Sequence, residues 1–422
     1  MRRSSASLLL LVAALAACDR SPAKAIPGIP HAGFRRDIAD SLRGNATFES
    51  AVFSHDGRWL VTTHLLSPQL RVWDGHSGAL VSRIAAATEQ SEPWMVDGQT
   101  ARLVAHAPGQ RALSVFDVRT GALVGVIGDT TATPATPLGV ANGVLMTAQG
   151  GTVDRWSLDS LVRLSHVPVP LFEQTPSCVG GIPFTYTDKK CWELSPSGRW
   201  LALASTPRDP PNAPSRFALI DLAEQRWEEL SLPDGAPDRH VASFAFSADE
   251  THLAMGTDRG LHVRDIAAHA WSAHVNGPAR RNPHLGAITF SSADARVFAL
   301  GDLLGLFAYD AKTGAQAGFS EIPFWDREGI LKFSADGSRV LVYRFVADVI
   351  EVFDGVDAKH AGWICPFFCN TKHNPVPVAF AVSPDGHTVA ASHRYGAGLF
   401  DVTTDRLIVP LRDPTLPPAR SR

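Results

Sequence analysis

The sequence has little charge and no apolar run long enough to span a membrane. Charged residues make up 19% of the 422 residues, and the formal net charge at pH 7 is −3. Binding to a nucleic acid backbone needs a concentrated basic surface, so this composition argues against a nucleic acid partner. Hydrophobic residues make up 45% of the chain, which is ample for a large core.

The motifs of familiar catalytic sites are missing as well. None of the 16 histidines lies in a His-Glu-x-x-His array, and the sequence has no Gly-x-Ser-x-Gly elbow and no phosphate-binding glycine loop before a helix. We therefore predict that the protein is not an enzyme and has no catalytic residue, no metal site and no cofactor.

The N-terminus has the pattern of a targeting segment. Two arginines precede an apolar stretch, Ser7–Ala17, that is too short to cross a bilayer. The stretch ends in Leu-Ala-Ala-Cys at residues 15–18, which resembles the bacterial lipobox. The resemblance implies that residues 1–17 are a lipoprotein signal peptide and that Cys18 is lipidated. The alternative is an ordinary signal peptide that is cut before a cysteine.

Lipidation of Cys18 would place the protein in the bacterial cell envelope, on the periplasmic side of a membrane. Asp19 resembles the residue that retains enteric lipoproteins at the inner membrane, which slightly favours that membrane over the outer one. We interpret residues 18–45, which include several prolines, as a flexible tether.

Two short elements recur along the rest of the chain. The first is a strand that runs into a tight turn rich in Ser, Pro, Asp and Gly, the residues that such turns favour. Its instances begin at Phe53, Leu194, Phe246, Phe290, Phe333 and Val382. The second is an alternating strand that ends in Asp74, Asp117, Ser157, Asp221, Asp265, Asp310, Asp354 and Asp401. We interpret these terminal acidic residues as turn residues, because they recur in nearly every unit.

The spacing of the second element predicts the architecture. Its successive end positions differ by 43, 40, 64, 44, 45, 44 and 47 residues. A period of about 40–45 residues with a Trp-Asp-like signature is typical of propeller blades. These units resemble WD-repeat propellers over most of the chain. We predict an all-β protein with a single β-propeller at residues 46–412, built from eight four-stranded blades, and a C-terminal tail at residues 413–422; seven blades is the alternative.

The end of the repeat region predicts how the ring closes. Residues 406–411 have the pattern of one further strand. In a WD-type ring this strand would become the outer strand of the first blade and would leave no free edge at the junction between the two chain ends.

Two connections between units contain cysteine pairs. Four cysteines besides Cys18 allow three pairings, and we favour the local one, Cys178–Cys191 with Cys365–Cys369. An oxidising compartment permits both disulfides, whereas metal ligation by exported thiols is less favourable.

The same kind of connection contains Trp325, Asp326 and Arg327. Such connections emerge on one face of a WD-type disc, and Trp and Arg are enriched at interface hot spots. We predict partner binding at these three residues; loop insertions stabilised by disulfides, without a binding role, are the alternative.

These features predict a membrane-anchored interaction scaffold, present as a monomeric ring that binds a protein partner in the cell envelope. The alternatives are a periplasmic enzyme, either a lactonase-like hydrolase or a quinone-dependent dehydrogenase, and a sensor of a small ligand or glycan. Both place a ligand in the central channel, and the repeats show no carboxylates or histidines at matched positions for such a site.

Overall fold

The repeated segments of the sequence form 32 β-strands in the computed structural model. The structure describes residues 42, 48, 50–64, 67–85, 95–106, 112–128, 135–170, 192–205, 216–232, 241–257, 260–276, 285–291, 295–301, 305–321, 329–333, 339–344, 349–364, 380–393, 396–404 and 406–415. The strands pair into eight separate four-stranded antiparallel sheets. The prediction of one propeller with eight four-stranded blades is therefore confirmed, and the seven-bladed alternative is wrong.

Each blade consists of four strands that are consecutive in the chain. Blades 1 to 4 are β1 (Ala51–Phe53), β2 (Trp59–His64), β3 (Ser67–Asp74), β4 (Leu80–Ile84); β5 (Met95–Asp97), β6 (Arg102–His106), β7 (Leu113–Asp117), β8 (Leu123–Ile127); β9 (Thr136–Ala141), β10 (Val144–Gln149), β11 (Thr152–Ser157), β12 (Arg163–Pro168); and β13 (Trp192–Leu194), β14 (Trp200–Ser205), β15 (Arg216–Asp221), β16 (Arg226–Leu230). Blades 5 to 8 are β17 (Val241–Phe246), β18 (His252–Thr257), β19 (Gly260–Asp265), β20 (Ala270–Asn276); β21 (Leu285–Phe290), β22 (Arg296–Gly301), β23 (Gly305–Asp310), β24 (Gln316–Ser320); β25 (Gly329–Phe333), β26 (Arg339–Arg344), β27 (Val349–Asp354), β28 (His360–Ile364); and β29 (Phe380–Val382), β30 (Thr388–His393), β31 (Gly396–Asp401), β32 (Arg406–Pro410).

The blades stand around a common centre with their first strands innermost. The first strands of blades 1 to 7 contact one another in order, and β1 also contacts β29 of blade 8. Blades 7 and 8 share the core cluster that contains Leu341 and Phe400, so the ring is closed. The fourth strand of every blade is consequently the outer strand. Because successive antiparallel strands reverse direction, the first-to-second and third-to-fourth turns share one face of the disc, and the remaining connections share the other.

The first repeated motif fixes the turn after each innermost strand. In five blades a buried serine accepts, through its hydroxyl oxygen, the backbone N–H of the residue five positions later. The pairs are Ser54–Trp59, Ser195–Trp200, Ser247–His252, Ser291–Arg296 and Ser383–Thr388. Each serine N–H also bonds the carbonyl of the same residue, so the motif closes the hairpin from both directions.

The second repeated motif fixes the turn before each outer strand. The terminal aspartate accepts turn N–H groups, as when Asp310 accepts those of Lys312 and Thr313. The interpretation of these acidic residues as turn residues is confirmed. Four positions after the motif's last residue, seven blades have a residue with positive φ, at Gly78, Gly121, Leu161, Gln225, His269, Gly314 and Ala358.

Successive side chains of the second and third strands point to opposite faces of the blade, so they pack against different neighbouring blades. Leu60 and Trp73 of blade 1 pack against blade 8, whereas Val61 and Val72 of the same strands pack against blade 2. Every blade is therefore apolar on both faces and needs a neighbour on each side.

The predicted closure by a shared strand is wrong. Arg406–Pro410 pairs with Gly396–Asp401 inside the last blade and not with blade 1. Blade 1 already has its own outer strand, Leu80–Ile84, so it offers no vacant position. The ring closes without mixing strands from the two ends of the chain.

Residues from both ends of the chain bridge the junction between blades 8 and 1. Leu411 is buried with Leu60 and Trp73 of blade 1, and its N–H bonds Ala397 of blade 8. Phe48 packs in the same cluster, and its N–H donates to Ser392 Oγ at 2.7 Å. Leu42, which the sequence-based limits place in the tether, is buried between blades 7 and 8.

Asp413 lies in the same junction with its side chain fully buried. Arg71 Nε donates to its carboxylate at 2.6 Å, and Arg83 and Thr415 donate to it as well. Burial raises the pKa of Asp413, but hydrogen bonds from Arg83, Thr415 and Arg71 outweigh burial and hold the pKa well below its usual range. Residue 413, the first of the predicted tail, thus pairs with two blade-1 arginines.

We expect Asp413→Asn to lower the free energy of unfolding by about 3 kcal/mol, because it leaves the buried Arg71 without a counter-charge. Chemical denaturation at neutral pH measures the loss, and Asp357→Asn, which disrupts an exposed pair with Lys359, should have little effect. A lowered folded-state pKa stabilises above the unfolded value of about 3.9, and this contribution is lost as pH falls below it. The wild type should therefore lose this part of its stability below about pH 4, and the variant should not.

We expect Gln225→Gly to raise the free energy of unfolding by about 0.5 kcal/mol. Gln225 is exposed with φ at 54°, a conformation that costs a non-glycine residue on the order of 1 kcal/mol. Gly314 has the equivalent position in blade 6 with φ at 70°, so Gly314→Gln is the matched control and should destabilise. Equal effects of the two changes on denaturation midpoints would contradict this account.

Candidate interaction surface

The residues that the sequence singled out for function lie outside the described part of the chain. These are Cys18, Cys178, Cys191, Cys365, Cys369, Trp325, Asp326 and Arg327. Lipidation, both disulfides and the partner-binding role of the Trp-Asp-Arg segment stay predictions. By sequence, the last of these segments connects β24 to β25.

The described residues contain no group of three His, Cys, Asp or Glu side chains that could hold a metal ion. No helix within the described ranges is long and apolar enough to cross a bilayer. The feature of the described residues that most suggests a binding role is a group of exposed hydrophobic side chains.

Exposed large hydrophobic residues concentrate on the outer edge of two neighbouring blades. Of eight such residues in the described ranges, five belong to blades 2 and 3. We call these five the apolar rim: Leu123, Val124, Val126, Val162 and Leu164, which are 60%, 39%, 51%, 57% and 52% exposed. Exposed apolar residues that concentrate on one part of a surface mark interaction sites more often than scattered ones do.

The apolar rim has a fixed shape because blades 2 and 3 interlock beneath it. A Cβ atom on Gly125 of β8 would lie 2.4 Å from Leu161 Cδ1, so the leucine occupies the space that the glycine leaves open. Leu161 stands in the turn before β12 with φ at 57°. Ile127, at the end of β8, is 1% exposed and packs in the core between the two blades.

Strand β8 differs from the other outer strands in composition. Its five residues, Leu, Val, Gly, Val and Ile, include no polar side chain. Each of the other seven outer strands contains at least one, for example Arg83, Arg163, Arg226, Ser272, Gln316, His360 and Arg406. Charged and polar side chains protect strand edges from pairing, so β8 lacks a protection that the others have.

The charges beside the apolar rim cancel. The third and fourth strands of blades 2 and 3, with their turns, contain three acidic and three basic residues: Asp117, Asp154, Asp159, Arg119, Arg155 and Arg163. Two of these carboxylates have basic partners. Asp117 bonds Arg102 at 2.7 Å, and Asp154 lies 2.6 Å from His166 Nδ1.

Hydrogen bonds set the protonation of the carboxylate nearest β8. Burial raises the pKa of Asp117, but the N–H groups of Thr120 and Arg119 and the guanidinium of Arg102 outweigh burial and lower the pKa overall. The group therefore stays ionised and paired at neutral pH. Asp117 thus serves the turn by accepting the N–H groups of Arg119 and Thr120.

Sequence reasoning missed the apolar rim, although a signal was present. The run from Ala122 to Gly128 has no polar side chain and follows the Asp-x-x-x-Gly turn that precedes an outer strand. A strand without polar residues is usually buried on both sides. This strand, however, follows a turn that precedes an outer strand, and an outer strand is exposed on its free edge. An apolar strand at this place in the repeat therefore indicates an exposed apolar edge.

Comparisons with known proteins agree with the fold and add nothing on activity. No protein-family model and no curated protein matches the chain. Among solved structures, the C-terminal WD40 domain of Sif2 matches with a TM-score of 0.57 and 10% identity, over 85% of this chain and 95% of that one. The computationally designed Ika8 protein matches with a TM-score of 0.56 and 14% identity, over 86% and 98%.

A third similar structure is Hsv2 from Kluyveromyces marxianus, with a TM-score of 0.52, 10% identity and coverage of 74% of this chain and 93% of that one. At these identities the similarity extends to the fold alone. The chain is thus a WD40-like β-propeller, an architecture that many unrelated functions share.

Proposed function

We propose that this protein is an interaction scaffold of the bacterial cell envelope, a monomeric ring held at the periplasmic side of a membrane by lipid on Cys18. The observation that supports binding is the apolar rim, where five of the eight exposed large hydrophobic residues of the described ranges lie together. A protein partner that covers these side chains removes apolar surface from water, which is the main driving force of association.

The energetics of the apolar rim suit a specific but reversible contact. Full burial of an aliphatic side chain contributes about 1.5–3 kcal/mol. The five residues are about half exposed, so each has on the order of 1 kcal/mol left to contribute. Because Leu161 locks the supporting blades, little conformational freedom is lost on binding.

The proposed location rests on the N-terminal sequence. We expect Cys18→Ala to move the protein from the membrane fraction to the soluble fraction of cells that make it, because stable anchoring needs acyl chains. Asp19→Ala should leave the protein with membranes and is the matched control. Unchanged membrane association of the Cys18 variant would contradict the lipid anchor.

Site-specific photo-crosslinking in intact cells tests the partner surface. With a photoreactive amino acid at Val162, we expect a discrete adduct with a second protein. Ile408, which is 48% exposed on β32 of blade 8, is the matched control and should give none. Adducts of equal yield from both positions would count against the apolar rim, and adducts only from position 325 would place the partner at Trp325, Asp326 and Arg327 instead.

A further inference from the structure

We propose that β8 accepts an extended, uncharged segment of a protein partner as a fifth strand of blade 2. The inference rests on the proposed function and names the chemistry of the partner at the apolar rim. The juxtaposition that supports it is a free strand edge without polar side chains beside the exposed residues of blade 3.

The backbone of β8 supplies the main recognition groups. β8 pairs with β7 on one side, and none of the described strands pairs with its other side. In an outer strand, alternate N–H and C=O groups therefore point away from the sheet. An added strand would bond these groups, which is a recurrent mode of peptide recognition.

Six of the other seven outer strands combine two protections, whereas β8 has only one of them. A register irregularity lies between the third and fourth strands of seven blades, including blade 2 between Val115 and Phe116. Such bulges twist an edge and discourage pairing. The other outer strands add polar or charged side chains, which β8 lacks, so β8 is the edge most open to a new strand.

Charge matching selects an uncharged segment. β8 has no charge, and the three acidic and three basic residues beside it cancel. A charged side chain placed against Leu123 or Val126 would lose hydration without gaining a counter-charge, which is costly. The balance gives no attraction to anionic lipid or nucleic acid, both of which need a basic surface.

The two sides of β8 provide apolar contacts for the side chains of an added strand. Side chains alternate between the two sides of a strand. One set of the added strand's side chains would contact Val124 and Val126, and the other set would meet Leu164 on the neighbouring blade. β-branched, uncharged residues fit such a surface best.

Selection from a phage-displayed random library of peptides of about ten residues tests this, because strands of five or six residues fit within that length. We expect enriched peptides to be uncharged and rich in β-branched residues. Val126→Lys should weaken their binding by about tenfold or more, whereas Ile408→Lys on β32 should not. Leu123→Lys is the second variant, and melting curves verify that all three fold.

Two further measurements separate strand addition from other contacts. Hydrogen exchange should slow at β8 amides when a selected peptide binds. Affinity should change by less than about twofold between 50 mM and 500 mM salt, because no ion pairs form.

Charged or helically patterned consensus peptides, binding that survives in both lysine variants, or protection elsewhere would overturn the proposal. A dimer in light scattering that Val126→Lys dissociates would also overturn it, in favour of a second copy. Adducts from Val162 without β8 protection would leave the scaffold function standing and reject strand addition alone.

Discussion

The structure depends on one constraint: every blade is apolar on both faces, so each sheet is stable only between two neighbours. Leu60 and Trp73 need blade 8, and Val61 and Val72 need blade 2. A linear stack would leave two faces in water, whereas a ring leaves none. The junction between the first and last blades is therefore essential, and Asp413, buried against Arg71 and Arg83, adds charge pairing to its apolar contacts.

Local turn chemistry explains why the blade number was predictable from sequence. The serine after five of the innermost strands and the aspartate before seven of the outer strands bond backbone groups within a few residues, so both recur at a nearly fixed period. Ring closure was not predictable in the same way. The pairing of Arg406–Pro410 depends on whether Leu80–Ile84 already fills the edge of blade 1, which is a relation across more than 300 residues. The contact of Asp413 with Arg71 is of the same long-range kind.

The apolar rim was hidden from sequence reasoning for a related reason. Leu123–Ile127 has the composition of a buried strand, and only its place as the outermost strand exposes it. Within this strand Ile127 is buried and Val126 is half exposed. Ile127 is buried because it packs in the core between blades 2 and 3. Trp325 and Arg327 were predicted from residue type and from their place in a connection between blades, criteria that cannot find aliphatic residues on an outer strand.

An unprotected strand edge promotes pairing with other chains and hence aggregation. Seven outer strands of this ring avoid it with polar or charged side chains, and most combine these with a bulge. A lysine in place of Val126 would protect the edge of β8 in the same way. The loss of folding free energy would be small, because the Val126 side chain is about half exposed to solvent. The absence of such a residue is therefore not imposed by folding. The strand addition that we propose at this edge would explain it, and the neutral surroundings of β8 suit an apolar contact better than an electrostatic one.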